Sequence, residues 1–337
     1  MANVGLLVDT AIATQYVPQV NIGGYGKRCI TRFSKTLHAV GYSGTKSGTH
    51  TEYISGDNGI TWSSLYTNII NCNSYHDAPS QCISTYKDGF FLTCFQGSIT
   101  LPYPWDACGH APIFTKRSNE GTWETPVCAG TRKGWAGTYT YTPTGIPTGT
   151  WGTYWSINNF RFPNALQTVV DSNGILHAFF STAISGSTAR YIYWMKFDEE
   201  DQDFEEPVKI VDSADWPTGG SFVVDVDFNG NTHLIWEGSS GGTLTARSHK
   251  YYNGSSWSTK TNIPNYGGSI AVAGRIFTLC NQVSRRFHLL TRDDPGRIGQ
   301  MLYEWDPDSG WIRTNGIPGP YKGSWSSATT YSQYDVV

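Results

Sequence analysis

The residues of this sequence that could do chemistry are a few carboxylates placed close together in the chain. Cleavage of a glycosidic bond needs two carboxyl groups that face each other. Asp225, Asp227 and Glu237 are near neighbours, and Asp171 belongs to a related segment. Asp171 and Asp227 each open a turn that ends in glycine, where Asp commonly bonds its own backbone. We therefore expect structural roles for these two, and nothing in the sequence singles out Asp225 or Glu237.

Three histidines recur at one position of repeated segments, and imidazole is a common zinc ligand. His38, His177 and His233 could bind a metal if all three lined one channel. The repeat itself also explains them, as half-buried residues that hydrogen-bond a neighbouring repeat. The acidic run 198–203 lacks the glycine and the spacing of an EF-hand loop, so we expect an exposed hairpin tip there. We predict no metal and no cofactor.

An internal repeat, a turn followed by a short apolar strand, organises the chain. Its clearest copies are residues 171–180 and 227–236, and weaker copies are residues 35–40, 88–95 and 274–280. An aromatic residue follows each copy at a similar distance: Trp62, Trp123, Phe204, Trp257 and Trp311. Such units bury their faces only against each other, which is typical of a β-propeller. We predict an all-β fold, a β-propeller of five blades, or of six if the two ends of the chain complete another.

The composition agrees with such a fold and excludes several functions. Of 337 residues, 15% are charged and 14% aromatic, with 37 glycines, which suits strands between turns and not helix bundles. A net charge of −3 argues against a nucleic-acid partner, and no apolar stretch is long enough to cross a membrane. Seven cysteines without a CxxC pair disfavour a zinc site or a disulfide scaffold, and Cys94 and Cys280 read as buried thiols.

The chain divides into three parts. Residues 1–30 should supply strands that close the ring, and residues 31–315 should form the propeller, with an insertion at about 128–158. A Gly/Pro linker and a short tail follow at 316–337. The first residues have no basic segment before their short apolar run, so we expect synthesis in the cytoplasm without a signal peptide.

The turn after residue 54 carries the most specific motif. Ser55, Asp57, Gly59, Thr61 and Trp62 match every position of S-x-D-x-G-x-T-W, the Asp box. In such a hairpin turn Asp accepts backbone N–H groups, Gly supplies a positive φ and Trp packs between strands. Here the sequence resembles the Asp-box, sialidase-like propeller superfamily. In that superfamily the motif is a structural turn away from the active face, so it implies the fold and not catalysis.

A sialidase would need three arginines for the substrate carboxylate, a tyrosine activated by glutamate, and an aspartate. The segment Phe160-Arg161-Phe162-Pro163 is similar to the F-R-I-P signature of that family, which carries one of the arginines. It departs from the signature at Phe162 and follows the Asp box instead of preceding it. We therefore expect a protein without enzymatic activity. Arg161, Asp225 and Glu237 are weak catalytic candidates, and a sialidase-like or other glycoside hydrolase is the alternative.

Residues 134–155, near the middle of the chain, carry no charge and could bind a glycan. Flat aromatic rings beside Thr and Gly are suited to stacking on sugar rings. The alternative is that these rings pack the insertion against a neighbouring blade or subunit. The candidate glycan-binding residues are Trp135, Tyr139, Tyr141, Trp151, Tyr154 and Trp155.

The tail supplies the last resemblance. Residues 323–337 resemble the opening of chitin-binding-like modules, which are common in bacteriophage tail fibres and in secreted polysaccharide hydrolases. With the expected cytoplasmic synthesis, this implies a virion protein of a phage tail or tail fibre. Its partners would be other virion proteins, further copies of itself and a host-surface polysaccharide. A purely structural virion adaptor is a second alternative.

Overall fold

The computed structural model describes residues 29–43, 47–73, 81–96, 111–135, 160–184, 190–215, 222–227, 229–240, 243–263, 270–271, 276–281, 286–292 and 300–313. These residues contain 23 strands and no helix, hence no helix that could span a membrane. The prediction of an all-β propeller is confirmed, and the strands form five sheets, which we number as blades 1–5 in chain order. Of the predicted N-terminal segment 1–30 the structure describes residues 29 and 30, and the predicted tail 316–337 lies outside the described residues.

The first three blades comprise fourteen strands. Blade 1 contains β1 (Ile30–Phe33), β2 (Thr36–Ser43), β3 (Ser47–Ser55), β4 (Ser63–Tyr66) and β5 (Asn71–Asn73). Blade 2 contains β6 (Gln81–Tyr86), β7 (Gly89–Gln96), β8 (Ala111–Ser118) and β9 (Val127–Cys128). Blade 3 contains β10 (Phe160–Val170), β11 (Leu176–Ile184), β12 (Arg190–Asp198), β13 (Asp203–Phe204) and β14 (Val208–Val211).

The last two blades comprise nine strands. Blade 4 contains β15 (Phe222–Val226), β16 (Thr232–Ser240), β17 (Thr243–Tyr252), β18 (Thr261–Ile263) and β19 (Ile270–Ala271). Blade 5 contains β20 (Ile276–Asn281), β21 (Arg286–Arg292), β22 (Gln300–Asp306) and β23 (Gly310–Arg313). In every blade the first four strands pair antiparallel in chain order, and in blades 1, 3 and 4 the fifth strand pairs with the third.

The chain forms two compact units. One consists of residues 1–170 and 174–211 and includes blades 1–3, and the other consists of residues 171–173 and 212–337 and includes blades 4 and 5. In the first unit a continuous apolar core runs between the blades and includes Phe90, Phe91 and Phe114. The second unit has its own core, which includes Ile235 and Leu289. Alternation along the strands produces these cores, since every second side chain of a strand faces the same neighbour.

Tight turns join the first strand of a blade to its second. In blade 3 the Asp171 carboxylate accepts the backbone N–H of Asn173 at 2.9 Å. In blade 4 the Asp227 carboxylate accepts the backbone N–H groups of Asn229 and Asn231 at 2.9 and 2.8 Å. The expected structural role of these two aspartates is confirmed.

The turn between β3 and β4 is held by its own side chains. Asp57 accepts the backbone N–H and the hydroxyl of Thr61, the latter at 2.6 Å. Ser55 donates to Asp57 at 2.7 Å, and the Trp62 indole N–H donates to the Gly59 carbonyl at 3.1 Å. Gly59 has a φ of 91°, a value that favours glycine. The hydrogen bonds from Thr61 lower the pKa of Asp57 to about 2.

The sequence repeat was misplaced by one strand in blade 5. The other copies include the start of the second strand of their blades, whereas the copy at 274–280 coincides with β20, the first strand of blade 5. The true counterpart is β21, which contains Phe287 and pairs with β20. The apolar run Ile276 to Cys280 was mistaken for a second strand because first and second strands are both apolar here.

The two ends of each blade differ. At one end, which we call the turn end, the first strand is joined to the second and the third to the fourth, mostly by short turns within the described residues. At the other, the connection end, the second strand leads to the third and each blade leads to the next. The longest segments of the connection end are residues 97–110 and 129–159. Rigid strands that carry long connections at one end commonly place functional groups there.

Candidate functional site

The recurring histidines bond within their own blades and not to a common centre. Each lies on a second strand and contacts the third strand diagonally. His38 donates from Nδ1 to Glu52 at 2.7 Å, and the Trp194 indole N–H donates to Nδ1 of His177 at 2.9 Å. His233 Nδ1 lies 2.8 Å from His249 Nε2. The three histidines are fully buried, not half-buried as expected, and the described residues contain no group of three metal-binding side chains.

Blades 1 and 2 meet at a buried ion pair. Arg117 of β8 donates to both Glu52 oxygens, at 3.1 Å from Nε and 2.5 Å from Nη2, and the Trp123 indole N–H adds a bond of 2.9 Å. The guanidinium lies 4.3 Å from the ring centre of Phe90. Burial alone raises the pKa of Glu52, but the bonds from His38 and Arg117 more than offset this, so that its pKa lies below the ordinary value.

Between blades 2 and 3, aromatic rings take the place of this ion pair in the same geometry. Phe91 and Phe114 of blade 2 stack diagonally, as His38 and Glu52 are placed in blade 1, with ring centres 5.4 Å apart. Phe197 and Phe204 of blade 3 contact both rings edge-on at 5.0 to 5.9 Å. Edge-to-face packing of this kind stabilises the contact beyond the burial of apolar area.

Blades 4 and 5 repeat the arrangement with histidines. His233 and His249 stack with ring centres 5.0 Å apart. Phe287 lies 4.4 Å from the His233 ring, as Phe90 lies 4.1 Å from the His38 ring. Trp305 and Trp311 contact His249 at 4.6 and 5.4 Å. These ionisable groups are thus components of the packing between blades, closed off from solvent, and do not form a site that a substrate could enter.

The sequence candidates for catalysis are separated by the register of blade 4. Asp225 of β15 pairs with His233, whereas Glu237 of β16 lies four residues further along and pairs with Arg247. At about 3.3 Å per residue, this places the two backbones about 13 Å apart. The carboxyl groups of glycosidases are about 5 to 9.5 Å apart. Asp225 lies towards the turn end of its blade, and Glu237 towards the connection end.

Arg161 also lies at a connection end. It is the second residue of β10 and pairs with Ala183. Its side chain lies outside the described residues, as does that of Glu237. The first strands of blades 1–3 bond to each other through hydroxyl groups: Thr31 to Thr85 at 2.8 Å and Ser84 to Thr168 at 2.6 Å.

Trp135 is the one glycan-binding candidate within the described residues, and it packs against protein. Its indole N–H donates to the Phe204 carbonyl at 2.8 Å, and its ring lies against the backbone of Gly130. This is the packing alternative for that residue. The remaining candidates lie outside the described residues: Tyr139, Tyr141, Trp151, Tyr154 and Trp155.

The acidic run 198–203 binds residues 130–133, which directly precede the uncharged aromatic residues 134–155 in the chain. The buried Asp203 carboxylate accepts the backbone N–H groups of Gly130, Arg132 and Phe204 at 2.7 to 2.8 Å. The Lys133 ammonium donates to Asp198 at 2.7 Å, and this bond lowers the pKa of Asp198 to about 2. Residues 199–201 of the run are exposed. Its last residue, Asp203, is buried and anchors the segment that follows the last strand of blade 2.

Comparisons with known proteins add information on the fold. No protein-family model matches the chain, and neither does any curated protein sequence. A protein of unknown function from Dyadobacter fermentans has a solved structure that matches 88% of this chain and 86% of its own, with 13% identity and a TM-score of 0.51. This likeness supports the fold alone.

Other matching structures carry the names of carbohydrate-active enzymes. An α-L-arabinanase from Penicillium chrysogenum matches 79% of this chain and 70% of its own, with 15% identity and a TM-score of 0.49. An exo-β-1,3-galactanase from Phanerochaete chrysosporium matches 87% of this chain, with 10% identity and a TM-score of 0.46. This chain spans 63% of that galactanase.

These names correct the functional prediction. Several of the matching structures are named as glycoside hydrolases, which is the alternative that the sequence left open. The prediction of a non-enzymatic bacteriophage virion protein is therefore wrong. The matches agree with a propeller, and they support neither the phage tail-fibre resemblance nor the Asp-box, sialidase-like one.

Proposed function

We propose that this propeller is a glycoside hydrolase that acts on a polysaccharide at the connection ends of its blades. The observation that carries the proposal is the contrast between the two ends. At the turn end the described turns are short and bonded to themselves, as at Asp57, Asp171 and Asp227. Residues 97–110 and 129–159 belong to the connection end.

The composition of those connections suits a sugar. Residues 97–110 contain Tyr103 and Trp105, and residues 136–159 contain five further Trp or Tyr side chains beside Thr and Gly and no charge. Aromatic rings stack on sugar rings, and hydroxyl and amide groups bond the ring substituents. The uncharged aromatic composition of residues 136–159 suits a neutral polysaccharide better than an acidic one, which would require cationic groups.

The reaction needs carboxyl groups at the same end. Glu237 of β16 pairs with Arg247, four residues beyond His233, and this position near the connection end of blade 4 supports it as the carboxylate candidate. Asp225 pairs with His233 towards the opposite end and bonds the backbone N–H of Val226 at 2.9 Å. We therefore propose the general acid or base role for Glu237 and not for Asp225.

The test is an assay of the purified protein on neutral polysaccharides that include arabinan and β-1,3-galactan, scored in the same tube for bound protein and released sugar. Glu237→Gln should lower the rate of release at least a hundredfold, the scale of general acid–base catalysis. Asp225→Asn is the matched control in the same blade and should retain activity.

The result has three outcomes. Release that is lost with Glu237→Gln and kept with Asp225→Asn supports the hydrolase and its site. Release that survives both changes supports hydrolysis and overturns the role of Glu237. Retention without release, on all substrates, overturns hydrolysis and leaves only a polysaccharide-binding propeller.

We also propose that the turn of Ser55–Trp62 is an Asp box in its structural role. The bonds of Asp57 to Thr61 and of Trp62 to Gly59 support this proposal. Replacing Asp57 by Ala should loosen the β3–β4 hairpin and leave polysaccharide cleavage intact, which amide exchange of that hairpin and the same assay would measure. Loss of cleavage with an unchanged hairpin would contradict the structural role.

A further inference from the structure

A chain of hydrogen bonds runs through the two buried histidines between blades 4 and 5. His233 Nε2 lies 3.0 Å from an Asp227 carboxylate oxygen, so this nitrogen carries a proton and donates it. His233 Nδ1 then accepts from Nε2–H of His249 at 2.8 Å. His249 Nδ1 in turn accepts from the Thr261 hydroxyl at 3.3 Å. Both imidazoles are neutral in this arrangement, and each of the three hydrogen bonds has one donor and one acceptor.

The chain can take up one proton but not two. If His233 gains a proton on Nδ1, His249 can change tautomer, accept with Nε2 and donate from Nδ1 to the oxygen of Thr261. The charged His233 remains paired with Asp227. If His249 is charged as well, two N–H groups face each other across 2.8 Å, and two cations lie between aromatic rings.

Among the described residues, the groups that act on the pKa of His249 include no carboxylate. Asp227 follows β15, and the other carboxylate near the pair, Asp225 of β15, acts on His233. Tyr251 of β17 and the rings of blade 5 cover the remaining sides. Burial lowers the pKa of His249 well below the ordinary 6.5, and His233 lowers it further. Burial also lowers the pKa of His233, against the opposing effect of Asp227.

We propose that the junction of blades 4 and 5 is an acid-sensitive latch, closed while His249 is neutral and opened by mild acid before the other junctions. A histidine that stays neutral in the closed state and takes up a proton in the open state favours opening by tenfold for each pH unit below about 6.5.

The junctions between blades of the first unit are the reference for this response to acid. The rings between blades 2 and 3 are Phe91, Phe114, Phe197 and Phe204, which do not titrate. The junction of blades 1 and 2 depends on Glu52, whose pKa lies below 4.5 and which stays paired through the range in which histidine charges. His38 also lies at the junction of blades 1 and 2, but there it faces the Glu52 carboxylate and no second histidine. Between pH 6.5 and 5 we therefore expect the junction with the two facing histidines to respond first.

The test is hydrogen–deuterium exchange of the full chain at pH 7.5 and pH 5.5, with exchange times scaled to the intrinsic amide rates. Peptides from residues 232–252 and 286–313 should lose protection at pH 5.5 by about tenfold or more, and peptides from residues 36–55 and 89–123 should keep theirs. Equal protection of residues 232–252 at both values would overturn the proposal, and so would an equal loss in all blades.

Two variants identify the source of the effect. His249→Gln keeps a donor to His233 Nδ1 and cannot be charged, so it should remove the acid response by at least half on a logarithmic scale. His233→Phe combined with His249→Phe copies the pair Phe91 and Phe114 and should remove the acid response entirely. An acid response that survives in a folded His249→Gln protein assigns opening to other groups and overturns the latch, whatever the fate of the double variant.

Discussion

Arg117 and Glu52 come from different blades and bond through both carboxylate oxygens at a fully buried position. Both side chains have no exposed surface, so each ion depends on the other to balance its charge. The same contact in the next junction consists of phenylalanines, and in blades 4 and 5 of histidines and tryptophans. One packing geometry therefore accepts an ion pair, an apolar cluster or a neutral imidazole pair, provided that the polar groups satisfy each other.

Removing one ion of this pair should be strongly destabilising. We expect Glu52→Gln to lower the free energy of unfolding by about 3–5 kcal/mol, since it leaves the Arg117 charge buried without its counterion. Urea denaturation would measure the loss. Glu124→Gln is the control, because Glu124 is half exposed and lies 3.7 Å from Lys116, so it should cost less than about 1 kcal/mol. A cost of Glu52→Gln as small as that of the control would contradict a dependent pair.

The same pair gives a second, separate pH dependence. The pKa of Glu52 is lower in the folded protein than its ordinary 4.5, so its contribution to stability is complete above pH 4.5 and is lost as the pH falls below that value. We expect the thermal unfolding temperature of the protein to fall steeply between pH 4.5 and 3. The fall should be less steep in Glu52→Gln. Parallel curves for the two proteins would show that other carboxylates dominate acid unfolding.

The anchor at Asp203 should control the segment that follows β9. Asp203→Ala would leave the buried N–H groups of Gly130 and Arg132 without an acceptor, each at a cost of about 1–3 kcal/mol. We expect faster proteolytic cleavage near residues 130–135, with the sheet of blade 2 still intact by amide exchange. Asp201→Ala is the control, because Asp201 is exposed and its carboxylate accepts from the Lys133 ammonium at the protein surface. Similar cleavage of both variants would argue against a special role of Asp203.

The sequence predicted the blades better than the contacts between them. Trp123, Phe204 and Trp311 follow their repeats at similar distances, and in the structure each packs at a junction between blades. Their spacing is a property of one blade, which makes it readable from the chain. The partners of these rings are set by the neighbouring blade instead.

The missing parts of the prediction follow from that difference. Glu52 and Arg117 lie 65 residues apart, and no periodicity links an acid on one blade to a base on the next. The anchor Asp203 was predicted to belong to an exposed hairpin tip because it ends a run of acidic residues in the sequence. The one available signal for the junctions was the alternation within β3, which places Glu52 on the same face as His38.

Gly130 should be irreplaceable because of Trp135. Gly130 has a φ of 87°, and a Cβ there would overlap the indole ring of Trp135, which is held by its bond to the Phe204 carbonyl. Gly130→Ala combines a strained backbone with a displaced ring, and we expect it to lower the free energy of unfolding by about 2–4 kcal/mol. Gly134→Ala is the matched control: its φ is 77°, but a Cβ there meets no atom within 4 Å, so only the strain of about 1 kcal/mol remains. Urea denaturation and the fluorescence of the displaced tryptophan would measure both, and equal costs at the two glycines would show that the ring contact contributes nothing.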